Sequence, residues 1–111
     1  MPVIAKAQTV TVLRLVGDLS QDEVTSLLRV LTELVLTNKT KVVLNFRKVT
    51  HMSLNGIAKL VEKSLRFRAL DGEIKIAGMA PYVTNLFKLV GAFSQFDIVS
   101  NEEEAISRFE G

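Results

Sequence analysis

The sequence contains no cysteine. Disulfides, thiolate-held metals and cysteine nucleophiles are therefore excluded, and the absence fits a reducing compartment. There is one histidine, His51. It reads as a loop residue half covered by the following helix, and a metal or phosphohistidine role has no second ligand or partner near it in sequence. The start, Met1 to Lys6, lacks the basic segment followed by a long apolar run that a signal peptide needs. Elsewhere Lys, Arg, Glu or Thr interrupts every apolar stretch before it reaches membrane-spanning length. These absences imply a cytoplasmic protein without direct membrane insertion. A glycine-rich phosphate loop and paired acids at fixed spacing are missing too, so the chain reads as no enzyme, with no cofactor and no metal. Charge of one sign is scarce: 14 Lys and Arg stand against 12 Asp and Glu, although the sequence pI is about 9.1. Lys59, Lys63 and Arg66 would share one side of a helix. Glu62 interrupts them and no aromatic residue is interleaved, so they read as a solvated face rather than a nucleic-acid surface.

What is present is a core. With 48% hydrophobic residues in 111, the chain can fold as one domain, residues 1–111, without repeat or linker. Val3 to Ala7 reads as a short strand, and polar Gln8-Thr9 suggests a hairpin into a second strand, Val10 to Val16, ending at Gly17. Ser20 and Glu23 have the spacing of a capping box. Val24, Leu27, Leu28, Leu31, Leu34 and Val35 follow at helical spacing, and Asn38 and Lys39 end the run. Lys41 to Phe46 reads as a strand covered on both faces. A loop from Arg47 to Met52 leads to a helix capped by Ser53, with Ile57, Leu60, Val61, Ser64 and Leu65 inward. Asp71-Gly72 marks a turn, and Glu73 to Ala77 a strand. Pro81 suits the first position of a third helix, with Val83, Leu86, Phe87 and Val90 inward and Gly91 as its left-handed cap. Phe96 to Val99 is a last strand, and Ser100 with Glu103 a second capping box opening a last helix.

The expected class is α/β: a mixed sheet of four to five strands, with an antiparallel edge strand and about four helices. The core should contain Leu28, Leu31, Val43, Leu44, Ile57, Val61, Ile76 and Leu86.

Four segments carry a family resemblance. They are Leu13-Arg14-Leu15-Val16-Gly17-Asp18-Leu19; Val42-Val43-Leu44-Asn45-Phe46 with Val49-Thr50; Met52-Ser53-Leu54-Asn55-Gly56-Ile57; and Ala77-Gly78-Met79-Ala80-Pro81-Tyr82-Val83 with Leu89-Val90-Gly91 and Phe96. In this order and spacing they resemble the STAS family of anti-sigma factor antagonists, over nearly the whole chain. The resemblance implies a signal-transduction switch acting in transcription regulation. The partner it implies is an anti-sigma factor that is also a serine kinase-like ATPase, docking at the start of the second helix. The partner-binding positions would be Ser53, Leu54, Asn55, Gly56 and Ser20. Small STAS proteins of bacterial lipid-trafficking systems imply the alternative, a subunit docked on the ATPase of an ABC transporter.

The chain departs from the family where the switch lies. Asn55 stands at the position of the phosphorylated serine, Ser53 at that of an acid two residues earlier, and Ser20 at that of an acid near the first helix. An amide cannot accept phosphate. Ser53 is an alternative phosphoacceptor or simply the N-cap. Thr50 is another acceptor, or a turn threonine bonded to the backbone. Asn55 is either a neutral donor and acceptor on a partner surface or a harmless first-turn residue. Gly56 allows close approach, of a partner or of adjoining backbone.

Overall fold

The computed structural model describes residues 3–7, as backbone, and 9–110. Gln8, half of the expected hairpin turn, lies outside the described residues. The elements run β1 (Val3–Ala7), β2 (Val10–Leu19), α1 (Gln21–Leu36), β3 (Lys41–Met52), α2 (Leu54–Ala69), β4 (Glu73–Ala77), α3 (Pro81–Leu89), a 3-10 turn at Phe93–Gln95, β5 (Asp97–Val99) and α4 (Glu102–Glu110). Strands β2, β3, β4 and β5 lie side by side in that order and run parallel. β1 runs antiparallel beside β2.

Side chains alternate across a strand, so consecutive residues of β3 enter different cores. Val42, Leu44 and Phe46 join Leu13, Leu15, Ile74 and Ile76 beneath α1, α2 and α3. Val43 joins Val10, Val12, Ala77 and Val99 beneath α4 alone. Phe87 of α3 packs edge-on against Phe46 and Phe96, with both centroid separations 5.9 Å. Leu31, Val43, Leu44, Ile57 and Ile76 are fully buried. Leu28, Val61 and Leu86 are half-buried and pack against the margin of the larger core.

Several local expectations need correction. β3 does not stop at Phe46: the expected loop, Arg47 to Met52, is strand. It pairs with a β2 that continues past Gly17 to Leu19, with register shifts between Arg14 and Val16 and between Gly17 and Asp18. Each shift puts an extra residue into β3. The buried positions therefore step from Phe46 to Val49 to Met52, by three instead of two, and strand alternation is lost from the sequence. In α2 the inward stripe is Ile57, Leu60, Ser64 and Phe67. Leu65 lies one residue, about 100°, round from Ser64 and is exposed. Val90 is also exposed, because α3 ends at Leu89 and the chain turns outward through Gly91 at φ +69°.

Neither capping box forms as expected. The Ser20 N–H donates to the Asp18 carbonyl at 3.0 Å. It is therefore not free for Glu23, and Ser20 caps α1 with no side-chain bond. At α4 the box is displaced by one residue. Asn101 Oδ1 accepts from the Glu104 N–H at 2.8 Å, and the Ser100 N–H donates to Glu104 Oε1 at 3.3 Å. Glu102 belongs to neither box and reaches the sheet. It takes both Nε and Nη2 of Arg14, at 3.0 and 2.9 Å, and Nδ2 of Asn45 at 3.0 Å.

The core under α4 is small, and charge supplements it. Lys75, 6% exposed, places its Nζ 3.0 Å from Asp97 and 3.2 Å from Glu73, with the Phe109 ring 4.6 Å away. Arg108 reaches Asp97 at 2.8 Å. Burial pushes the Asp97 carboxyl up, but the hydrogen bonds and charges of Lys75 and Arg108 outweigh it, and the group titrates below its ordinary value. The Arg14 hydrogen bond holds Glu102 low in the same way, against burial and with help from Asn45.

Two outcomes follow for stability. Leu31→Ala should cost about 2–5 kcal/mol in urea denaturation. Asp97 and Glu102 are depressed in the folded state, so their contribution is complete above the unfolded carboxylate range, near pH 4, and is lost as pH falls through the lower folded values. Asp97→Asn should remove about 1–3 kcal/mol at neutral pH and shallow the acid decline below the unfolded carboxylate range, both measured by urea midpoints across pH.

Candidate functional site

The start of α2 is set by its cap. Ser53 holds an extended backbone, φ −68° and ψ 150°, and its Oγ accepts the Gly56 N–H at 3.0 Å. The N–H groups of Leu54 and Asn55 belong to the first turn, which a helix leaves without internal acceptors. No acidic residue occupies that turn. Gly56 is buried, and the reason is the neighbouring helix. A β-carbon placed on it would lie 2.9 Å from Val24 Cγ2 and 3.0 Å from Ser53 Oγ. The close approach is therefore to the side chain of α1, and it draws the first turns of α1 and α2 together.

A cleft of about 250 Å³ opens at this junction, lined by Gln21, Val24, Ser53, Asn55, Gly56 and Lys59. Of the residues singled out from sequence, Ser53, Asn55 and Gly56 are brought together here. Asn55 is exposed, and Leu54 beside it is 43% exposed. Ser20 is exposed at the start of α1 and is not part of the lining, where its neighbour Gln21 stands instead. Thr50 is exposed within β3, so the turn expected to hold its hydroxyl does not exist. His51, expected in a loop, is also in β3. Its Nδ1 lies 3.1 Å from the Tyr82 hydroxyl, and the two rings stack at 5.7 Å and 26°. Tyr82 is 55% exposed. Sequence reasoning assigned no part in the site to Gln21, Val24 or Tyr82. Val24 carried only a core signal, and nothing in the sequence links Tyr82 to His51 across 31 positions.

A family model, that of the STAS domain, matches residues 1–105. The chain belongs to the STAS domain family. Its structure matches that of the anti-sigma factor antagonist SpoIIAA in its unphosphorylated form with a TM-score of 0.84, at 22% identity, over 100% of this chain and 97% of that one. The Bacillus cell fate determinant SpoIIAA in its phosphorylated form gives 0.77 at 20% identity, over 98% and 99% of the two chains. An anti-sigma factor antagonist from Mycobacterium paratuberculosis gives 0.87 at 13% identity, over 100% and 94%. At these identities the shared property is the fold. In this STAS domain the cleft between the first turns of α1 and α2 depends on the absence of a side chain at position 56.

Gly56→Ala measures that dependence. Alanine favours a helix over glycine by up to about 1 kcal/mol, while overpacking against a stiff valine costs about 1–3 kcal/mol. The single variant should be destabilised, and Val24→Ala should relieve it, so a double-mutant cycle should give a clear coupling between the two sites. Additive effects would mean that the helices do not meet through this contact.

Proposed function

We infer that this STAS domain is a non-enzymatic regulatory module, and that it binds a protein partner over the start of α2 without a phosphorylation switch at Asn55. The observation that carries this reading is an exposed, uncharged first turn. Asn55 stands beside a small cleft, the turn has no acid, and the neighbouring N–H groups are available to an acceptor on a partner. Leu54 and Tyr82 offer apolar surface close by, with His51 stacked on Tyr82. The family resemblance adds the partner class, an anti-sigma factor that is a serine kinase-like ATPase. On this reading Asn55 stands where the family carries its phosphoacceptor, and an amide has no hydroxyl to modify.

The physical consequence is a constitutive state. Phosphorylation brings nearly two negative charges into such a surface. Asn55 keeps it neutral, so binding requires no prior dephosphorylation. We place this docking surface in a cytoplasmic domain spanning residues 1–111. Ser53 is a poor substitute acceptor while its oxygen holds the Gly56 N–H. Thr50 is exposed in β3 and is the more accessible hydroxyl.

Asn55→Asp should weaken partner binding several-fold, since it places one charge in the interface, although the α2 dipole offsets part of the effect. The measurement is affinity capture from the native cell with wild type and variant, followed by mass spectrometry and titration against the purified partner. Recovery of a kinase-like ATPase supports the antagonist role, whereas an ABC ATPase would assign the chain to a transporter. Equal affinity of the two forms would remove Asn55 from the interface. A stoichiometric phosphate on Thr50 or Ser53 of native protein, seen by intact mass, would show that the switch has moved.

A further inference from the structure

The three cations noted in the sequence do share a surface, and it is not a flat solvated face. Lys59, Lys63 and Arg66 form one wall of a groove of about 550 Å³ between α1 and α2. Leu28, Val35 and Leu36 from α1 supply apolar surface on the other side. Leu36 is 78% exposed, a large apolar side chain left in water at the rim.

The charge here is net positive and makes no ion pair among the described residues. Arg14, Lys75 and Arg108 each meet a carboxylate on the α4 side of the sheet. In the groove, Lys63 donates only to the neutral Thr32 hydroxyl at 2.9 Å, and no ion pair forms at Lys59 or Arg66 among the described residues. Glu62 is the one acid in the lining. The cations recur at i, i+4 and i+7, so they span about 10 Å along α2. Carboxylates on a second helix repeat over the same distance at the same spacings. An apolar strip beside a cationic strip is therefore complementary to an amphipathic helix with leucine-type residues on one face and acids flanking them. Stacked bases would need aromatic surface, and among the described residues no aromatic side chain lines the groove.

The groove also adjoins the cleft at the start of α2, since Lys59 lines both. The geometry points to a docking groove for an acidic amphipathic helix of a protein partner, running from Lys59 along α1 and α2. It rests on the α2-start reading only for that adjacency.

The probe is a synthetic 18-residue amphipathic peptide with leucines on one face and flanking glutamates. Its control carries lysines in place of the glutamates, and both are titrated into the intact 15N-labelled protein. The acidic peptide should shift the resonances of Leu28, Val35 and Leu36, bind at least tenfold more tightly than the control, and weaken as salt rises. The double variant Lys63→Glu, Arg66→Glu should lose at least tenfold in affinity while keeping a dispersed spectrum. Equal binding of the two peptides, shifts outside the groove, or binding only of a single-stranded oligonucleotide or of phosphatidylglycerol vesicles would overturn the proposal. Groove shifts together with unchanged partner binding by Asn55→Asp would uphold the groove and reject the α2-start reading.

Discussion

Val43 and Leu44 are adjacent in the chain, have no exposed surface, and belong to separate cores. A strand buried on both faces needs a helical layer on each side, and the layers of this domain are unequal. Three helices cover one face and α4 alone covers the other. The larger core is apolar and interdigitated, with Phe46, Phe87 and Phe96 in edge-to-face contact. The smaller one has few large side chains, and polar attachments complete it: Glu102 joins Arg14 and Asn45 at one end of α4, while Asp97 joins Lys75 and Arg108 at the other.

The candidate site inherits its shape from the crowded side. With α1 and α2 packed on the same face, the space at their first turns is decided by what position 56 carries. Glycine admits Val24 to van der Waals contact with the α2 backbone, and the same residue donates the N–H that Ser53 caps. One absent side chain thus serves the packing of α1, the cap of α2 and the cleft between them. Further along, no glycine brings the helices together, and the Lys63–Thr32 hydrogen bond joins them in the groove.

Element order and helix stripes were legible because they rest on local periodicity. β4, with Ile74 and Ile76 on one side, and α3, opened by Pro81, lie where the pattern puts them. The second half of β3 was not legible. Extra residues in a bulged strand change the apolar spacing to three, and a sequence window cannot separate that from a loop. The cap of α1 failed for a related reason: the spacing of Ser20 and Glu23 is right, but the Ser20 N–H is committed to Asp18. At α4 two boxes overlap in the sequence, Ser100 with Glu103 and Asn101 with Glu104, and local spacing does not choose between them; the second forms, while Glu102 is held by Arg14, 88 residues away. For the site, the sequence supplied Ser53, Asn55 and Gly56. The partnership of His51 with Tyr82 and the groove between α1 and α2 required the helices to be in place.

The unequal layers have a consequence for cooperativity. Opening of an element costs free energy in proportion to the apolar surface it uncovers and the bonds it breaks. Detaching α1, α2 or α3 exposes the large core and amounts to global unfolding. Detaching α4 uncovers the smaller core, valines and alanines with Ile106 and Phe109 against them, and breaks ion pairs that salt screens. The domain therefore contains a large folding unit and a small one, and the small unit is the one whose amide exchange with solvent responds to ionic strength. The candidate docking surfaces lie wholly on the large unit, so they persist when α4 opens.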